Sequence, residues 1–134
     1  MGVADIPLLG QIKGRLSWLD ERQRVVAQNV ANSDTPGYVA RDLKMPADFA
    51  AALRQGGGLR MAQTSAQHMT SGAPVARFTS QASPDSETTL DGNAVVVEEQ
   101  MLKMAESRMA YDAAIGLYTK SMAMLRLAAK SPGR

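Results

Sequence analysis

The chain has 134 residues, with 15 basic and 13 acidic side chains, 4% aromatic residues and no cysteine. This length predicts one domain, and the lack of cysteine excludes disulfides, thiolate catalysis and cysteine metal sites. The net charge of +2 comes from a mixed surface without a block of like charge, so no nucleic-acid partner is expected.

The first predicted element is an amphipathic helix over residues 7–33. Asp5 followed by Pro7 favours a helix start here. Apolar residues then recur with spacings of three and four, as in a heptad pattern, with Gln23 as the polar interruption. The predicted packing positions are Leu9, Ile12, Leu16, Leu19, Val26 and Val30.

A specific string of residues ends this helix. Asn29 and Asn32 lie three residues apart and share a helix face; local capping and bonding to a neighbouring chain are both open for them. Pro36 cannot continue the helix, Gly37 permits a tight turn, and Tyr38 supplies an amphipathic ring just after it. The predicted turn residues are Asn29, Asn32, Asp34, Thr35, Pro36, Gly37 and Tyr38.

The middle of the chain, residues 34–93, is predicted to be a turn followed by an extended, weakly structured segment. Residues 63–89 are rich in Ser, Thr, Gln and Ala and hold no period for long. Within this middle segment we predict a short helix over 48–53 and short strands at 59–62 and 75–78.

A second turn, formed by Asp91, Gly92 and Asn93, introduces a helix over 94–128. Asn93 is a favourable residue type for the N-cap of that helix. Glu99 and Lys103 are spaced as an i,i+4 ion pair on its surface.

The second helix also carries apolar residues with spacings of three and four, interrupted at Arg108. The predicted packing positions are Val97, Met101, Met104, Tyr111, Ile115, Tyr118, Met122 and Leu125. The two ends of the chain therefore predict a mainly α fold, in which long N- and C-terminal heptad helices pair antiparallel as a coiled coil. We expect residues 1–134 to form a single domain.

No arrangement of residues predicts catalysis. His68 is the only histidine and lies in a polar segment without cysteine or an acidic cluster nearby. The glycines at 56–58 lack the Lys-Ser/Thr of a phosphate loop, and the turn at 91–93 lacks the further oxygen ligands of a calcium loop. We expect no catalytic, cofactor-binding or metal-binding residue, no cofactor and no small-molecule substrate.

The run Asn29-x-x-Asn32-x-x-x-Pro36-Gly37-Tyr38 resembles the N-terminal element shared by the bacterial flagellar rod and hook family. The turn before the second helix and the run from Glu106 to Leu125 are similar to the C-terminal part of the same proteins. The short length is most similar to proximal rod members. The chain departs from the family at 95–97, where three valines stand in place of a common acidic residue.

This resemblance implies a structural subunit of the proximal rod in the flagellar basal body, located in the periplasmic rod and exported by the flagellar type III apparatus. The implied partners are other copies of the chain, other rod proteins, and basal-body adaptor, MS-ring and export-gate components at the rod base. The alternative function is a small cytoplasmic helical-hairpin adaptor or regulator, which would fold cooperatively as an isolated chain.

Overall fold

The computed structural model describes residues 7–49 and 78–130. The elements in chain order are helix α1 (Pro7–Ala31), strand β1 (Arg41–Leu43), strand β2 (Ser80–Ala82) and helix α2 (Val97–Ala129). The two long helices pack against each other, so the prediction of a mainly α fold is confirmed. Within the described residues no helix is long and apolar enough to cross a membrane.

The direction of the helix pair follows from contacts at two levels. Asn29, near the end of α1, donates a hydrogen bond of 2.8 Å to Gln100, near the start of α2. Trp18, in the middle of α1, belongs to a core against which Ala110 and Tyr111 of α2 pack. Contacts that move forward along α2 therefore move backward along α1, and the predicted antiparallel pairing is confirmed.

Helix α1 ends at Ala31, two residues before the predicted end. The hydrogen-bond pattern tightens there, because the Asn32 amide donates to both Gln28 and Asn29 carbonyls at 3.1 Å and the Ser33 amide donates to Val30. Such i to i−3 bonds are common in a final helical turn. The turn that follows thus begins inside the predicted helix.

Helix α2 begins at Val97, three residues later than predicted. The prediction that Asn93 is its N-cap is wrong: Val96 is the N-cap, and its side chain makes no capping hydrogen bond. Ala94 instead forms a parallel bridge with Val39. Because this tertiary bridge holds Ala94 beside residue 39, and Val96 is extended, the helix starts only after it.

A short antiparallel ribbon joins the two halves of the middle segment. Arg41 pairs with Ala82 and Leu43 pairs with Ser80. Strands of three residues are too short for an alternating pattern to show in the sequence, and neither was predicted. The predicted strands at 59–62 and 75–78 and the short helix over 48–53 fall wholly or mostly outside the described residues.

The ribbon is fixed to α1 by polar and aromatic contacts. The Trp18 indole N–H donates to the Lys44 carbonyl at 3.1 Å, and its ring meets that of Phe49 edge to face with centroids 6.1 Å apart. The Arg22 guanidinium donates two hydrogen bonds, of 3.0 and 3.1 Å, to the Asp42 carboxylate. A bidentate charged pair with both partners mostly buried is stronger than a single surface ion pair.

The chain after β1 approaches α1 closely at Gly14. A Cβ atom added at this position would lie 2.4 Å from the Phe49 carbonyl oxygen. Any side chain there forces Phe49 away from Trp18, its ring partner. The glycine is therefore required by packing, although it weakens the helix.

We expect Gly14→Ala to lower the free energy of unfolding by about 1–2 kcal/mol, because overpacking costs about 1–3 kcal/mol and exceeds the gain in helix propensity of about 1 kcal/mol. The matched control is Gly116→Ala in α2, where an added Cβ meets nothing within 4 Å and stability should rise. Denaturant unfolding of both variants measures the difference. Stabilisation by both changes would contradict the close contact.

Candidate functional site

The two turns predicted separately from the sequence lock together. The Gly37 amide donates to the Asp91 carbonyl and the Ala94 amide donates to the Tyr38 carbonyl, both at 2.9 Å. Gly37 has φ 71° and Gly92 has φ 84°, a region that L side chains rarely adopt. A Cβ on Gly92 would lie 3.4 Å from the Gly37 Cα. The two glycines thus let the turn backbones approach each other.

Asn93 closes the end of α1 rather than the start of α2. Its buried side-chain amide donates to the Asn32 carbonyl at 2.9 Å and to the Thr35 carbonyl at 2.7 Å. Its side-chain oxygen accepts a 3.0 Å bond from the Val95 amide. Carbonyls past a helix end need partners when they are buried, and here a residue about 60 positions later supplies them.

Asn29 is the most connected side chain of the site, and it is fully buried. Its amide nitrogen donates to the Arg41 carbonyl at 2.7 Å and to the Gln100 side-chain oxygen at 2.8 Å. Its oxygen accepts from the Arg41 amide at 3.0 Å and from the Tyr38 hydroxyl at 3.3 Å. One amide therefore joins α1, the turn, β1 and α2.

The other predicted turn residues lie nearer the surface. The Asn32 side chain donates to the Gln28 carbonyl at 2.8 Å and accepts from the Thr35 hydroxyl at 3.1 Å. Asp34 and Pro36 are exposed. Asn29 and Asn32 are three residues apart, yet one is an interior anchor and the other a local cap.

The sequence analysis missed Asp85, whose side chain is 0% exposed. Its carboxylate accepts bonds from the Val96 amide at 2.9 Å, from the Gln100 side chain at 2.7 and 3.0 Å, and from Lys103 at 2.9 Å. The predicted pairing of Lys103 with Glu99 is wrong, because Asp85 competes for the ammonium group. Asp85 sits in a loop with no periodic pattern, so nothing in the sequence indicated this role.

Opposing effects act on the Asp85 carboxyl. Burial raises its pKa, but hydrogen bonds from Gln100, Lys103 and the Val96 amide favour the charged form and hold the pKa below its ordinary value of 3.8. A carboxylate beside the first turn of α2 also complements the positive end of the helix dipole. Asp85 therefore satisfies the backbone amide of the N-cap residue Val96 from a loop outside the helix.

The predicted packing positions on α1 all lie on its inner side. Leu9, Ile12, Leu19 and Val26 are buried, and Leu16 and Val30 are partly buried. Trp18 and Val25 are buried as well, although the heptad pattern did not include them. The ribbon and the segment after it cover this neighbouring face.

The predicted positions on α2 are divided between two environments. Val97, Met101 and Ile115 are exposed, whereas Met104, Tyr111, Tyr118, Met122 and Leu125 are partly buried. The fully buried residues of α2 form a different set, spaced by seven: Gln100, Ser107, Ala114 and Ser121. Small and polar side chains therefore line the contact with α1, where they permit close approach of the two helices.

Large apolar side chains are exposed on the sides of α2 that do not contact α1. They are Val97, Met101, Leu102, Met109, Ile115, Leu117, Met124 and Leu127. Apolar residues on several sides of a helix suit contact with more than one neighbouring helix, and α1 covers only one side. On α1, by contrast, Leu8 is the single large apolar residue that is exposed.

Residues 7–49 and 78–130 contain no group of three His, Cys, Asp or Glu side chains that could hold a metal ion. The site is a set of interlocked turns joined to an apolar helix surface. Its geometry suits assembly with other chains.

Comparison with known proteins identifies the family. The sequence model described as "Flagella basal body rod protein" matches residues 13–38. The flagellar basal body rod protein FlgB of Cereibacter sphaeroides (strain ATCC 17029) is 30% identical over 111 residues, covering 83% of this chain and 84% of the relative. The chain belongs to the FlgB family of flagellar basal body rod proteins.

Other FlgB proteins show the same relationship. The Escherichia coli K12 protein is 33% identical over 98 residues, or 68% of this chain and 70% of the relative. The Aeromonas hydrophila protein is 29% identical over 115 residues and covers 86% of both chains. The family model ends at Tyr38, so it contains the first of the two interlocked turns and the buried Asn29.

We expect Asn29→Leu to lower the free energy of unfolding by about 2–4 kcal/mol, because it leaves Gln100 and both polar groups of the Arg41 backbone without this partner. Asn29→Asp should be at least as harmful, because it replaces the donating amide nitrogen with an oxygen. That oxygen would face the Arg41 carbonyl oxygen and the Gln100 side-chain oxygen, which are acceptors themselves. Asn32→Ala, which removes exposed bonds, should cost no more than about 1 kcal/mol. Equal stability of the Asn29 and Asn32 variants in denaturant unfolding would refute this ranking.

The depressed pKa of Asp85 predicts a pH dependence. Its contribution to stability is present above the unfolded-state pKa near 3.8 and is lost as pH falls through the lower folded-state pKa. At pH 7, Asp85→Asn should be less stable by about 1–3 kcal/mol, since bonds to charged groups are lost. This difference between wild type and variant should shrink below about pH 4. A constant difference from pH 7 to pH 2 would contradict the assignment.

Proposed function

We propose that this chain is a structural subunit of the proximal rod of the flagellar basal body, and that it assembles by packing its helices against neighbouring rod subunits to transmit torque. Membership of the FlgB family supports the rod role. The observation that carries the mode of assembly is the ring of exposed apolar side chains around α2. Burying such a surface is strongly favourable.

In the described part of the chain, the exposed surface of α1 differs in polarity from that of α2. The outer side of α1 is mostly polar, with Gln11, Lys13, Arg15, Ser17, Asp20 and Arg24 exposed. Helix α2, by contrast, exposes Leu and Met residues on the sides that do not contact α1. We infer that α2 faces neighbouring subunits on several sides, and that the predicted packing residues Val97, Met101 and Ile115 become buried there.

The proposal includes a location and a set of partners. The chain would reach the periplasmic rod through the flagellar type III apparatus and contact other copies of itself and other rod proteins. At the rod base it would meet basal-body adaptor, MS-ring and export-gate components. The names of the relatives support the basal-body location; nucleic acid and small-molecule substrates have no place in this function.

A small cytoplasmic helical-hairpin adaptor is less well supported. A free-standing hairpin needs a polar outer surface on both helices, because contiguous exposed apolar residues promote association. Helix α2 exposes eight large apolar residues. The interlocked turns would serve a hairpin equally well, so the surface of α2 is the feature that separates the two functions.

The function is tested by placing one charge on an exposed flank of α2. Ile115 is 41% exposed, so Ile115→Asp should leave the isolated chain folded, while burying an unpaired charge in the assembly is costly. A deletion strain complemented with this variant should express the protein but fail to swim in soft agar and yield no rods. Circular dichroism of the purified variant checks that its helices remain.

Two further variants control this experiment. Ala27→Asp, on the polar outer side of α1, should restore swimming. Leu19→Asp buries its charge within the chain, because Leu19 is 1% exposed, and should unfold it. A deletion strain that swims without the gene would end the rod proposal, and normal rods with Ile115→Asp would end the role given to α2.

A further inference from the structure

The side of α2 that points away from α1 forms a continuous face. It lies opposite the buried positions Gln100, Ser107, Ala114 and Ser121 and has the spacing of a second heptad pattern. We call it the outer face, and its apolar residues are Leu102, Met109, Ala113, Gly116, Ala123 and Leu127. All six are exposed. Nothing else in the described chain covers them.

No contact among residues 7–49 and 78–130 explains the glycine at position 116. It stands in the interior of a 33-residue helix, where glycine is unfavourable relative to alanine. Its φ is not positive, and a Cβ added there meets nothing within 4 Å. A glycine on an exposed helix surface permits close approach of something outside this chain. The contrast with Gly14, which packs against Phe49, makes the absence of an internal reason clear.

The outer face also carries two opposite charges. Glu106 and Lys120 are exposed and have no ion pair within the described residues, whereas Lys103 and Arg108 are each paired. Glu106 and Lys120 are separated by two heptads along the same face. If α2 of a second copy lay parallel to this face without displacement, Glu106 of one copy would face Glu106 of the other. Two like charges placed together in this way are unfavourable.

A parallel displacement by two heptads removes this conflict. Glu106 of one copy then faces Lys120 of the next. The same shift matches side-chain sizes along the whole face, since each large residue meets a small one: Leu102 meets Gly116, Met109 meets Ala123, and Leu127 meets Ala113. Charge and volume therefore select the same register.

We propose that the outer face of α2 binds α2 of a second copy of this chain, parallel and displaced by two heptads, or about 21 Å at 1.5 Å per residue. The proposal rests on the rod function above: residues 102–113 on the outer face of one copy meet residues 116–127 on that of the other, a heterologous contact with a direction along the helix axis, as an axial assembly requires. The large residues of one copy fill the space above Gly116 and its small neighbours in the other.

The cysteine-free chain allows the register to be tested by disulfide cross-linking. Ala113→Cys and Leu127→Cys variants are co-expressed in the deletion strain, and isolated basal bodies are oxidised. Each variant then carries a single cysteine, so any disulfide joins two copies. We expect a covalent dimer from this pair.

The matched control combines Leu102→Cys with Leu127→Cys. These positions would face each other in an antiparallel pair centred on Ala113 and Gly116, but they lie far apart in the displaced parallel register. We expect no dimer from this pair. A dimer here instead of with Ala113→Cys, or no dimer from either pair, would overturn the proposal.

Variants of Gly116 and of the two charges test the same contact without cysteine. Gly116→Leu should keep or raise the melting temperature of the isolated chain, because leucine favours helices, yet abolish rod assembly by filling the contact. Glu106→Lys and Lys120→Glu should each reduce swimming several-fold, and the double exchange should restore it. Normal swimming with Gly116→Leu would refute the close approach.

The outcomes separate this inference from the rod function itself. The deletion strain must lose swimming and regain it with the wild-type gene for the rod function to hold. If that control succeeds while the cross-links and the Gly116→Leu variant fail to behave as stated, the chain is a rod subunit whose copies meet through another surface.

Discussion

The fold depends on one buried amide. Asn29 has no exposed surface, and a polar side chain in that position is tolerated only when its donors and acceptors are satisfied. Its four hydrogen bonds reach Tyr38 at the turn, Arg41 of β1 and Gln100 of α2, so they form only when all of these elements are correctly arranged. This requirement makes the end of α1 the reference point of the structure.

Asp85 extends the same constraint along the chain. The Gln100 side chain donates to Asp85 and accepts from Asn29, so it connects the two residues. Asp85 also orients Lys103 and the first turn of α2. The facing positive-φ backbone at Gly37 and Gly92 brings the two turns together. Polar groups therefore determine the geometry at one end of the helix pair, while apolar packing between α1, the ribbon and α2 supports its middle.

This arrangement explains how a short chain can serve as an assembly subunit. Because small and polar residues such as Ser107 and Ala114 line the contact with α1, the larger apolar residues of α2 remain on its other sides. A surface of this kind is costly in water and stabilising between subunits. The internal pairing thus uses one face of α2 and leaves the apolar residues of its other faces exposed.

The sequence by itself determined the two long helices, their antiparallel pairing, the tight turn at Gly37 and the resemblance to rod proteins, because helical periodicity and turn chemistry are local properties. It did not determine the ribbon, the start of α2 or the role of Asp85, because each depends on contacts between residues far apart in the chain. Heptad spacing also shows that α2 has apolar stripes without deciding which side meets α1. Only the tertiary structure decided that, since α2 carries apolar residues on several sides and one buried hydrogen bond from Asn29 to Gln100 orients the helix.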